Sequence, residues 1–189
     1  MNRCRIINGN LKHRFISTPA IDSTRPTSDM IKQALFNILF HRFYVDFSET
    51  FVIDLFAGSG SLGIECISCG CKNALLIDSN LQAVRCIENN LSNLKIQNFA
   101  KTICRKAELI SDNLFLEFAK NFDNIIVFMD PPYVDKTLLL NQISKFQGLF
   151  ENKKLLIAIE SDEDIDDENL KNAYTANHGK TFIKVFSNY

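Results

Sequence analysis

Short apolar runs alternate with amphipathic segments along most of this chain. Runs at 51–55, 74–78, 100–104, 124–129 and 154–160 read as strands, and segments at 62–69, 81–92, 112–120 and 136–146 carry apolar positions at helical spacing. Near-continuous apolar strands separated by such helices predict an α/β fold with a parallel sheet covered on both faces. Residues 173–175 and 181–186, around His178-Gly179-Lys180, predict a closing hairpin that adds an antiparallel last strand. At the other end, residues 5–16 alternate weakly around Asn8-Gly9-Asn10 and predict a small β-hairpin. A loop ending in Arg25-Pro26 follows, then a helix capped by Thr27 or Ser28 with Asp29 in its first turn. Its positions Ile31, Ala34, Leu35, Ile38 and Leu39 form one buried stripe. The expected organisation is one domain over 1–189, with an extension at 1–26 and an α/β core at 27–189.

Composition narrows the class. The chain has 189 residues, 46% hydrophobic and 23% charged, which is ordinary for a globular protein with one core. No apolar run approaches the roughly 20 residues of a membrane span, and the start lacks the apolar region of a signal peptide. A cytoplasmic protein without a membrane partner is expected. Cys66, Cys69 and Cys71 form C-x-x-C-x-C, but no matching His or Cys pair follows, so buried thiols are expected and no metal. Residues 1–44 hold seven Lys/Arg and two acids, hence +5, whereas 45–189 hold fourteen and twenty, hence −6. Arg3, Arg5, Lys12 and Arg14 make a basic arm suited to local phosphate contacts, and the acidic run at 160–168 reads as an exposed loop that repels phosphate.

Two strand ends carry the candidate chemistry. The run 51–55 leads into Gly58, Gly60 and Gly63, spaced as G-x-G-x-x-G, which lets a backbone turn tightly and approach a ligand. Asp54, at that mouth, would repel a pyrophosphate but welcome an ammonium group. S-adenosylmethionine (SAM) has an amino-acid end, a cationic sulfonium and no phosphate. Asp78, at the tip of the next strand, is placed to accept from ribose hydroxyls, although a helix N-cap is an alternative role. The run 124–129 ends in Asp130-Pro131-Pro132-Tyr133. Asp130 and the Pro131 carbonyl can accept both N–H bonds of an exocyclic amine and free its lone pair, while Tyr133 offers a face for a splayed-out base. A polar turn closing a buried strand is the plainer alternative for the same four residues.

With Asp54-Leu-Phe-Ala-Gly-Ser-Gly60 and Asp130-Pro-Pro-Tyr133, the chain resembles the class I SAM-dependent methyltransferases that act on exocyclic amines. Arg5-Ile-Ile-Asn-Gly9, Arg25-Pro-Thr27, Asp29, Leu35-Phe-Asn37 and Ile159-Glu-Ser161 are similar to the RsmD family, over nearly the whole length. That resemblance implies a Rossmann-like, mostly parallel seven-stranded sheet and methyl transfer to the N2 amine of one guanine in bacterial 16S rRNA, guanine 966 in the family. It implies SAM contacts at Asp54, Gly58, Gly60 and Asp78, with S-adenosyl-L-homocysteine as product. It implies base contacts at Asp130, Pro131 and Tyr133, and an RNA-facing rim of Arg3, Arg5, Lys12, Arg14, Arg25 and Thr27. The partner would be 16S rRNA or the assembling 30S subunit, met by a monomer. Lys12-His13-Arg14 stands where the family has basic-glycine-basic, so a differently bent hairpin is expected. Arg105-Lys106-Ala107 replaces a small polar or acidic residue, and Lys106 is given no adenine contact. An adenine-N6 DNA methyltransferase, an NAD-linked oxidoreductase and an inactive SAM-binding assembly factor are the competing functions.

Overall fold

The structure, a computed structural model, describes residues 3–20, 28–131 and 136–189. Arg25, Thr27, Pro132 and Tyr133 lie outside the described residues. Seven strands form the main sheet: β3 (Thr50–Asp54), β4 (Asn73–Asp78), β5 (Ala100–Cys104), β6 (Asn124–Met129), β7 (Lys154–Ser161), β8 (Tyr174–His178) and β9 (Thr181–Ser187). Their order is β5-β4-β3-β6-β7-β9-β8. The first five in the chain run parallel, and β9 pairs antiparallel with both β7 and β8. From β3 the chain moves outward through β4 to β5, then returns to lay β6 on the other side of β3. That reversal opens a crevice beyond the carboxyl ends of β3 and β6.

Side-chain alternation sorts two cores. Val52, Leu76, Ile126 and Leu156 face the layer of α1 (Asp29–His41), α2 (Ser61–Ser68) and α3 (Leu81–Leu94). Ile53, Leu75, Ile125, Val127 and Ile157 face α4 (Asp112–Ala119) and α5 (Lys136–Leu149). This is the doubly covered parallel sheet that the apolar runs predict. Phe36 of α1 stacks between Phe47 and Phe128, with ring centroids 5.7 and 6.5 Å away, and fastens α1 to the sheet. Ser28 is the N-cap of α1 and accepts from the Ile31 N–H at 3.2 Å. Helix α2 starts one residue earlier than its spacing predicts, and Cys69 is its C-cap. Gly70 (φ 113°) closes it, as Gly70 N–H meets Ile67 O at 3.0 Å and Cys71 N–H meets Cys66 O at 3.0 Å.

The N-terminal hairpin differs from the tight turn expected at Asn8-Gly9-Asn10. Strands β1 (Arg3–Arg5) and β2 (Phe15–Ser17) pair antiparallel, and residues 6–14 form a wide loop between them. The loop wraps onto α2, where polar side chains offer better partners than a two-residue turn. Ile7 N–H donates to Glu65 Oε1 at 2.9 Å, Asn10 N–H to Ser68 O at 2.8 Å, and Leu11 N–H to Ser68 Oγ at 2.9 Å. A Cβ on Gly9 (φ 71°) would stand 1.9 Å from Ser68 O, so only glycine allows this approach. His13 takes the left-handed backbone (φ 73°) that a glycine would adopt freely. The histidine carries local strain of about 1–2 kcal/mol there.

Gly9→Ala should lose roughly 2–4 kcal/mol of stability, from left-handed strain plus overpacking against Ser68. Gly148→Ala, in α5 with nothing within 4 Å of an added Cβ, should be neutral or slightly stabilising. Denaturant titration of both variants checks this, and equal effects would contradict the docked loop.

Candidate functional site

The β3–β6 pairing builds the site. Asp54 lies opposite Phe128 in the ladder, and Leu55 N–H continues it to Phe128 O at 3.1 Å. Asp130 thus follows two residues beyond Asp54 on the neighbouring strand, with Pro131 next. Asp54 also lies opposite Leu76, so Asp78 stands two residues beyond it on the other side. All three carboxylates that the sequence singles out rise from the carboxyl edge of adjacent strands.

Asp54 is the most unusual of them. It is 1% exposed, and neither side-chain oxygen makes a hydrogen bond among the described residues. Burial pushes its carboxyl from 3.8 up to about 7; the charges of Asp130 and Asp78 add to this, and the backbone N–H groups of Gly63 and Phe56 offset part of it. A buried acid without a counter-charge is a costly arrangement that a cationic ligand would relieve.

The glycine turn is held open by its neighbours. Ala57 N–H donates to Ile77 O at 2.8 Å, and Gly58 N–H to Asp78 Oδ2 at 2.9 Å. Gly58 (φ 55°) leaves clear space where a Cβ would stand. Gly60 (φ 78°) is the N-cap of α2. Gly63 packs so closely on β4 that a Cβ would meet Leu76 Cδ2 at 2.2 Å. Asp78 therefore has a structural task, since its other oxygen accepts from Asn80 N–H at 2.8 Å, and Asn80, not Asp78, caps α3. Each carboxylate oxygen retains a second lone pair for a ligand hydroxyl. Arg105 N–H reaches Asp78 O at 3.0 Å, which ties the Arg105-Lys106-Ala107 turn to the same rim.

Three residues that the motifs did not mark join the arm to this mouth. Lys32 and Glu65 are 1% and 0% exposed, with Lys32 Nζ 3.6 Å from Glu65 Oε2. Lys32 also donates to Arg5 O, and Glu65 accepts from both Ile7 and Asn8 N–H. Burial raises the Glu65 carboxyl, and the Lys32 charge and loop N–H groups counter that. Asn90 of α3 accepts from Ser17 N–H at 2.9 Å and donates to Ser17 O at 2.9 Å and to Ser59 O, in the glycine turn, at 3.0 Å. Lys32 and Glu65 left a trace in the sequence as charges set inside apolar helical stripes.

Arg3, Lys12 and Arg14 are exposed on the arm. Arg5 is engaged, with Nη2 3.0 Å and Nε 3.1 Å from Asp29 Oδ2, which reduces its value as a phosphate ligand. The acidic run is only partly an open loop: Ile165 is buried, and Lys184 pairs with Asp164 at 2.7 Å. Burial pushes the Cys69 and Cys71 thiols up to about 12 and about 11 and raises the Cys66 thiol well above its ordinary value, so all three stay protonated. No group of His, Cys, Asp and Glu suited to a metal ion occurs among the described residues.

This sheet order and glycine mouth define the class I methyltransferase fold. The fold is shared with the yhhF structure from Escherichia coli (TM-score 0.74, 28% identity, 98% of each chain covered). It is shared also with an RNA methyltransferase from Salinibacter ruber bound to S-adenosyl-L-homocysteine (TM-score 0.59, 10% identity, 86% of this chain and 93% of that one). The chain belongs to the family described as Conserved hypothetical protein 95, the RsmD family, whose model matches residues 4–187. A Buchnera aphidicola protein named ribosomal RNA small subunit methyltransferase D is 35% identical over 151 residues, 79% of this chain and 70% of that protein. The Escherichia coli K12 protein of that name is 34% identical over 68% of this chain and 60% of its own length.

The raised Asp54 sets a pH dependence with a definite sign. Between its ordinary value and about 7 the native carboxyl holds a proton that the unfolded one has released, so this contribution to stability falls as pH rises. Over pH 5–6.5 the ligand-free protein should lose up to about 1.4 kcal/mol per pH unit relative to Asp54→Asn. Parallel pH–stability curves for the two proteins would contradict the buried, unpartnered acid.

Proposed function

We propose that this chain is a SAM-dependent rRNA methyltransferase acting on the exocyclic N2 of one guanine in 16S rRNA, guanine 966 in the resemblance. The observation that carries the reading is the placement of Asp54 and Asp130 two residues apart across the β3–β6 ladder. The names of the Buchnera and Escherichia coli relatives support an rRNA substrate. The residues fit the donor: Asp54 is a buried carboxyl that an ammonium would convert to a paired anion, Gly58 leaves room for close approach, and Asp78 retains lone pairs for the ribose.

When bound, SAM supplies a methyl group on a cationic sulfur that leaves as a neutral thioether. The remaining work is positional. Asp130 and the Pro131 carbonyl accept the two N–H bonds of the target amine, withdraw its lone pair from the ring and direct it along the methyl–sulfur axis. Asp130 also steadies the positive charge that grows on nitrogen before the spare proton passes to solvent water. Tyr133 supplies the stacking surface. Correct orientation can contribute about 7–11 kcal/mol. Arg3, Lys12 and Arg14 border the RNA side, with Arg5 in a supporting position, and the family resemblance adds Arg25 and Thr27 as RNA contacts. The protein acts in the cytoplasm as a monomer, one methyltransferase domain with the 1–26 extension, on rRNA or the assembling 30S subunit.

Labelled SAM offered to unmethylated small subunits, naked 16S rRNA and DNA should leave its label in N2-methylguanosine. Label in N6-methyladenine of DNA, or thermal stabilisation by NAD and not by SAM, would replace this function with a competitor. Asp130→Ala should cut turnover about 100-fold or more with SAM affinity nearly unchanged. Wild-type turnover in that variant would remove Asp130 from the reaction.

A further inference from the structure

The outer face of the N-terminal ribbon presents an aromatic ring where the sequence suggested only charge. Cys4 and Ile16 point inward and are buried, at 6% and 3% exposure. Arg3, Arg5 and Phe15 point outward, with Arg5 directly opposite Phe15 in the ladder. Phe15 is 57% exposed, and Met30, next to the Asp29 that grips Arg5, is 62% exposed. A single exposed apolar residue needs no explanation. This one sits on the arm that carries Arg3, Arg5, Lys12 and Arg14, with Asp29 the acid paired to Arg5. Paired opposite residues stand about 4.5–5.5 Å apart at Cβ, so Phe15 and Arg5 leave the ribbon as neighbours on one face. Asp29 fixes the Arg5 guanidinium through Nε and Nη2, which makes it a held plane as well as a charge.

The ribbon also adjoins the catalytic mouth. Ser17, two residues past Phe15 on the same face, shares the Asn90 amide with Ser59 of the glycine turn. Two strand residues span about 7 Å, so Phe15 stands close to the rim. We infer that Phe15, backed by Arg5, is a stacking platform for an unpaired nucleobase next to the target, so the ribbon reads single-stranded RNA by base stacking as well as phosphate charge. This rests on the proposed rRNA substrate and specifies its form. Duplex RNA buries its bases in the stack and offers the ring nothing, whereas loops and splayed strands offer π-faces. Arg3, Lys12 and Arg14 make no ion pair among the described residues and are open to the flanking phosphates. The charge favours this occupant over a protein surface.

Fluorescence anisotropy would compare a short, unstructured, fluorescein-labelled oligoribonucleotide with the same strand annealed to its complement. The full chain should prefer the single strand. Phe15→Ala should weaken single-strand binding about 10-fold or more and leave duplex binding and the salt slope unchanged. Phe15→Trp should restore the affinity, which separates a lost ring from a damaged fold. Unaltered single-strand binding by Phe15→Ala, equal loss on both forms, or no strand preference in the unmodified protein would overturn the inference; the first of these would point to a protein partner for this face. The assay involves no methyl transfer, so its failure is distinct from label appearing in a base other than guanine.

Discussion

The hydrogen-bonded register between β3 and β6 is the constraint on which the rest depends. These strands are distant in sequence but adjacent in space, because the chain reverses direction in the sheet between them. With Asp54 opposite Phe128 and Leu55 N–H on Phe128 O, the glycine turn and the Asp130-Pro131 turn open into one crevice. A shift of one residue would turn every side chain of a strand to the other face. The two layers of helices forbid that, since Val52 and Ile126 pack on one layer and Ile53 and Val127 on the other. Core packing thus fixes the register, and the register fixes where Asp54 and Asp130 stand.

The arm is joined to this framework by polar groups rather than by apolar burial alone. Lys32 and Glu65 form an ion pair away from water, an arrangement whose desolvation cost can match its Coulombic gain. Their remaining capacity is spent on the backbone of the arm, at Arg5 O and at the N–H groups of Ile7 and Asn8. Apolar residues could fill the same volume without specifying where that backbone sits. The pair therefore reads as a device for position, and Gly9 lets the loop approach closely enough to use it. Asn90 completes the linkage by holding Ser17 of the arm and Ser59 of the glycine turn with one amide.

Local patterns made much of this legible. The apolar runs predicted the parallel strands to within a residue or so, most plainly β3, β4, β6 and β7, where both faces are buried. Ser28 and Gly70 marked helix ends because a cap is a matter of a few neighbouring residues. Asp54, Asp78 and Asp130 stood out as carboxylates where apolar strands stop. The wide loop at 6–14 was not legible, since its partners Glu65 and Ser68 lie some sixty residues away and outcompete the local Asn-Gly turn. Shorter separations, 24 and 20 residues, likewise hid the engagement of Arg5 by Asp29 and the second task of Asp78 in holding Gly58. Phe15 was passed over because exposure of a strand residue depends on which face the ribbon buries.

The most direct measurement of the central claim is a crystal structure of the full chain with S-adenosyl-L-homocysteine. The account predicts the ligand's ammonium beside Asp54, its ribose at Asp78, and its sulfur lying between the ends of β3 and β6 and directed towards Asp130. A ligand bound elsewhere, or one whose sulfur faces away from Asp130, would contradict it.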